Sequence, residues 1–174
     1  MRLASFESLF GRLIVCETRM VAVTASASIG NPRRLPLDEY GFEEWYCAEP
    51  DCDCRRVVFF IMSSNANRQV ASISHAFEPP GKRSWMPAQT FLDPLFARSD
   101  LSPSLLLLCE DILRGDPDYC RRLERQYRMV KDAVADPDHP SQRLLRDMEE
   151  EDARSAAPSR AIPRQRRREK RRWE

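Results

Sequence analysis

Two periodicities divide the chain. Between residues 36 and 78 apolar and polar positions alternate in steps of two, and between 102 and 135 they recur in steps of three and four. In the first region Tyr40, Phe42, Glu44 and Tyr46 alternate with Gly41, Glu43, Trp45 and Cys47. Aromatic side chains at that period read as a strand. R-R-V-V-F-F-I-M over 55–62 is β-branched and aromatic, and too short for an ordinary helix. S-S-N-A-N-R over 63–68 has turn composition. The alternation then resumes over 69–78, with Val70, Ser72, Ser74 and Ala76 on one face and Ala71, Ile73, His75 and Phe77 on the other. These three segments predict a three-stranded antiparallel meander.

Residues 78–101 are irregular and punctuated by proline. Helical period follows. In S-P-S-L-L-L-L-C-E-D-I-L-R, Ser102 is a candidate cap and Pro103 falls in the first turn, where its missing N–H costs nothing. Asp116-Pro117 repeats that signal and opens a helix with Tyr119, Leu123, Tyr127, Val130 and Val134 on one stripe, ended by Asp136-Pro137. The two helices are expected to form a hairpin on one face of the meander, an α+β domain over 36–152, with a third short helix near 141–152. Residues 1–35 show no clear organisation: Ser5 to Phe10 suits a short helix start, and 21–30 reads as a strand or a disordered lead. Met20 is a second candidate start. Residues 153–174 are rich in Arg and Pro and read as a disordered tail.

Charge sharpens this division. The chain of 174 residues has a formal net charge of +1, but residues 160–174 alone carry a net +6, leaving an acidic body. The tail residues Arg164, Arg166, Arg167, Arg168, Lys170, Arg171, Arg172 and Trp173 are candidates for contacting a nucleic acid, the guanidinium and ammonium groups meeting phosphates and the indole stacking on a base. The bland alternative is a solvated end. No apolar run reaches the ~18 residues of a membrane span, and Arg12, Glu17 and Arg19 break the N-terminal apolar stretch before it makes a signal peptide. A cytoplasmic protein with no membrane role is expected, its thiols kept reduced.

In that setting the stretch Y-C-A-E-P-D-C-D-C-R-R-V over 46–57 carries the chemistry. It puts three of the six cysteines within eight residues. Cys47 closes one predicted strand, Cys52 and Cys54 precede the next, and Pro50-Asp51 suits the turn between them. Such a loop can aim three sulfurs at one cation, and zinc is the metal expected of thiolate ligands in a tetrahedron. A turn centred near Asn65 pairs position 55 with 75 and sets His75 beside Cys54, which makes His75 the candidate fourth ligand. A one-residue slip would turn it away. Cys16, Cys109, Cys120, the carboxylates of Glu49, Asp51 and Asp53, and water are the alternatives. Arg55 and Arg56 are placed to offset the excess negative charge of three thiolates on one divalent ion.

At these residues the chain resembles a group of small bacterial proteins that share an aromatic strand, Y-C-x4-C-D-C-R-R-V, a later D-P-L and a helical Y-x-x-R-L-x-x-x-Y-x-x-x-K. Here these are E-W-Y-C-A-E-P-D-C-D-C-R-R-V, Asp93-Pro94-Leu95, and the run from Tyr119 to Lys131. The resemblance covers roughly residues 36–135. Some members are similar to proteins ending in a SEC-C metal-binding motif, an ending that this chain replaces with its arginine tail. The resemblance implies a metal site at Cys47, Cys52 and Cys54 and brings no activity with it.

Three functions compete on this reading. A structural zinc knuckle in an interaction or adaptor module, with an unknown protein partner, leads. Nucleic-acid association through the tail is the alternative. A zinc hydrolase or dithiol redox enzyme is the third, weakened because no H-E-x-x-H, deaminase signature, phosphate loop or G-x-S-x-G occurs.

Overall fold

A computed structural model describes residues 2–11, 19–24, 34–81 and 86–156. Residues 157–174 of the expected tail and Cys16 lie outside the described residues, whereas 153–156, expected to be disordered, form the end of a helix. Ten elements follow one another: β1 (Leu3–Ser5), α1 (Phe6–Phe10), β2 (Arg19–Val23), β3 (Asp38–Cys47), β4 (Arg56–Ser63), β5 (Arg68–Ala76), β6 (Thr90–Leu92), α2 (Ser102–Gly115), α3 (Pro117–Ala135) and α4 (Gln142–Ala156).

The expected meander is present as β3-β4-β5, but the sheet is larger. It has six strands in the order β1-β3-β4-β5-β6, with β2 also on β3, and all pairings are antiparallel. β1 pairs with the Cys47 end of β3 and β2 with its Asp38 end, so two short strands share one edge. Gly41 suits the close approach of β2, because a Cβ there would lie 3.1 Å from Met20 Sδ. The added strands are three to five residues long, too short for alternation to show in the sequence.

The helical hairpin packs on one face of the sheet, as the period-3.6 stripe implies. Asp116 caps α3, its carboxylate accepting from Tyr119 N–H at 3.0 Å. Tyr119, Leu123 and Val130 are buried, with Tyr127 and Val134 partly so. They meet Phe42, Phe59, Ile61 and Ile73 of the sheet in one core. Ser102 does not cap α2. Its hydroxyl is buried, donates to Val70 O (3.1 Å) and accepts from Ser99 N–H (2.8 Å), tying the helix start to β5. The third helix is α4, packed against α3 and anchored where Ser141 donates to Leu9 O at 2.5 Å.

The opposite face is covered by the segment that follows β6. Phe96 stacks edge-on to Phe60 at 5.0 Å, and Ser72 donates to Ala97 O. Beneath it Arg56 and Asp93 form a buried ion pair at 3.3 Å, with Ser74 bonded to both. Buried charge of this kind is tolerated only when paired and hydrogen-bonded.

Candidate metal centre

The site begins where β3 leaves the sheet. Cys47 is the last residue of β3 and is buried; Cys52 and Cys54 follow in the loop and are half-buried. The loop is folded by its own turns, with Cys52 N–H donating to Glu49 O (3.3 Å) and Arg56 N–H to Cys54 O (2.7 Å). It is also held from outside. Lys131, on the last turns of α3, donates through Nζ to Glu49 O (2.6 Å) and Cys52 O (2.7 Å). From β1's side, Arg2 N–H donates to the Glu49 carboxylate (2.9 Å), the Arg2 guanidinium donates to Ala48 O (3.0 Å), and Ala48 N–H donates to Arg2 O (2.9 Å).

The result is that the Sγ atoms of Cys47, Cys52 and Cys54 all lie within 4.8 Å of one another. Four sulfurs around a zinc ion at ~2.3 Å would sit about 3.8 Å apart, so a small contraction brings these three into coordination range. All five described cysteines are free thiols. The cluster already favours a thiolate. The Cys54 thiol donates to the Cys47 sulfur and lowers its pKa, burial opposes this, and Glu49 N–H, the Cys52 thiol and the Lys131 charge add to the lowering, which ends at about 5. Bonding to that thiolate, together with burial, pushes the Cys54 thiol up. Cys52 and Cys54 each open onto a surface depression: one of about 460 Å³ with Tyr127 and Lys131, the other of about 310 Å³ with Glu78 and Met86.

His75 sits elsewhere. The turn spans four residues, 64–67, rather than centring on Asn65, and a bulge between Ile61 and Met62 adds a further register step. Each moves the pairing by one, so His75 lies opposite Val57 and not opposite position 55. That is one two-residue repeat, about 7 Å, farther from the cysteine end. Among the described residues the grouping with metal-ligand spacing contains the three cysteines without His75. Cys109 is buried in the core, and the Cys120 thiol donates to Leu113 O at 3.3 Å. Asp51 and Asp53 are exposed, and the Glu49 carboxylate is taken by Arg2.

The basic partners also differ from expectation. Arg56 turns to Asp93 on the far face, and Arg55 pairs with Glu78 at 3.0 Å on the surface. The cation acting on the cluster is Lys131, 77 residues beyond Cys54 in sequence. In the sequence it is marked by closing the run from Tyr119 and by its spacing from Tyr127: residues four apart on a helix share a face, and Tyr127 is itself close enough to the three cysteines for their charge to help raise its pKa, after the larger effect of burial.

Compared with family models, curated proteins and solved structures, the chain matches none. The geometry of the cysteine loop therefore carries the functional reading.

Proposed function

We propose that Cys47, Cys52 and Cys54 bind one zinc ion, and that this site is a structural knuckle in a small interaction or adaptor module. The observation that carries the reading is the convergence of three thiols on a loop clamped from two sides by Lys131 and Arg2. Thiolate ligands favour zinc among the common divalent ions. The fourth position falls to water or to a group from outside the described residues, including a partner's side chain. The Glu49 carboxylate beside the cysteines accepts from Arg2 N–H and so serves to hold the loop, which favours structure over hydrolysis.

The test is metal content per chain of protein purified from metal-replete cells, set against a Cys52→Ser, Cys54→Ser variant. One zinc in the parent and none in the variant is expected; no bound ion in the parent overturns the reading.

A second reading is association with nucleic acid through residues 160–174. Arg121, Arg125 and Arg128 are exposed positive groups on α3, although each has a partner, Asp118 for Arg121 and Glu124 for Arg128 among them. Binding that weakens steeply with salt and vanishes on deleting 160–174 would support it. Absent or salt-insensitive binding would remove it.

A further inference from the structure

A second cleft lies on the helix side of the sheet, between the β5–β6 edge and the α2–α3 hairpin. Its volume is about 450 Å³, within the range of small-molecule sites. Leu113, Leu123 and Phe77 line it with apolar surface. Two carboxylates come from different helices, Glu110 on α2 and Glu124 on α3. Arg114 at the rim is drawn toward Asp111, to which it donates at 2.7 Å, and Glu124 accepts from Arg128 through one oxygen, Oε2, at 3.3 Å. The buried polar ring in the wall is His75, 8% exposed. Thr90 Oγ1 holds its Nδ1 at 2.9 Å, and its Nε2 makes no hydrogen bond to any described residue.

We propose that this cleft binds a small organic cation with an apolar body, its ammonium group held by Glu110, Glu124 and His75 Nε2. Nε2 opens on the cleft without a partner among the described residues, and a ligand donor can pair with it there. When Nδ1–H is donated to Thr90 Oγ1, Nε2 presents its lone pair, the acceptor that an ammonium hydrogen needs. Burial holds the His75 pKa down at about 4, so the ring is neutral at pH 7 and does not repel a cation. The carboxylates supply the attraction, and Phe77 with the edge of Leu113 takes the apolar part. The cleft shares no lining residue with the depressions at Cys52 and Cys54, so this inference does not depend on zinc.

The experiment uses benzylamine as probe and benzoate, of similar size and opposite charge, as control. The chain has two histidines, His75 and His139, so their ring resonances report by NMR on the cleft and on a distant site. Benzylamine is expected to shift the His75 ring saturably and leave His139 in place, with benzoate silent. Glu110→Gln, Glu124→Gln should weaken the amine at least ten-fold and each single exchange by less, while the Cys52→Ser, Cys54→Ser protein should bind it like the parent. No saturable His75 shift, an equal response to benzoate, or unchanged affinity in the double glutamine variant would each overturn the proposal.

Discussion

Replacing Lys131 by Met probes how the fold prepares the cysteine loop. The thioether keeps the length and apolar stem of the side chain but removes its ammonium group, and with it the bonds to Glu49 O at 2.6 Å and Cys52 O at 2.7 Å. Hydrogen bonds from a charged donor contribute roughly 1.5–3 kcal/mol each when buried. Lys131 is half-exposed and water can replace part of what is lost, so about 1–2 kcal/mol for the pair is the better figure. If that energy serves to hold the loop in its binding shape, it is lost from metal affinity, a weakening of about five- to thirty-fold. Removing a group that orients ligands without touching the metal falls in the same range. The assay is competition for zinc against a chromophoric chelator at fixed pH and salt, with thermal melting in parallel. The expected result is weakened zinc binding with a nearly unchanged melting temperature, because the bonds join α3 to a loop and not to the core. Zinc affinity within two-fold of the parent would refute the claim that α3 preorganises the site.

The remaining predictions concern metal, charge and acid. Chelation is expected to leave the far-ultraviolet circular dichroism of the sheet in place and to abolish amide-exchange protection in residues 48–55, since the six-stranded sheet has its own core; collapse of the whole sheet would show that the metal holds the fold. Asp93→Ala should destabilise the protein by about 3–5 kcal/mol in denaturant titration, because it removes the carboxylate facing Arg56 in a pair exposed by 4% and 0%; a loss under ~1 kcal/mol would mean that the pair is not what holds the back face. His75 has its pKa lowered by burial from 6.5 to about 4, so the native state favours the neutral ring. Its contribution is complete above pH ~6.5 and is lost as pH falls through about 4. Denaturant midpoints should therefore fall over that window, and less in His75→Gln; identical pH profiles for the two proteins would contradict the burial of the ring.

How far the chain could be read in advance depended on where each signal came from. The central meander and the helical hairpin were legible because long segments carry a clear period: β3 alternates over ten residues, and α3 keeps one apolar stripe from Tyr119 to Val134. β1 and β6 were not, because three residues carry no period, and β2 stayed ambiguous at five. They are strands because β3 and β5 offer free edges to them. Gln126 breaks the apolar stripe of α3 yet is fully buried, donor and acceptor geometry with Tyr46 Oη at 2.7 Å making room for it in the core.

The sequence by itself determined that three cysteines would stand close along the chain, since a strand end, a turn at Pro50-Asp51 and a five-residue spacing let one loop bring their sulfurs together, as the structure does. Tertiary structure decided what surrounds them. Arg2 from the N-terminus and Lys131 from α3 reach the loop from opposite sides in sequence, Arg56 is drawn to Asp93 on the far face of the sheet, and a four-residue turn with one bulge carries His75 into a different cleft. The physical reason is common to all three. Backbone geometry and spacing act over a few residues, whereas a charge or a register acts on whatever the folded chain brings within a few ångströms of it.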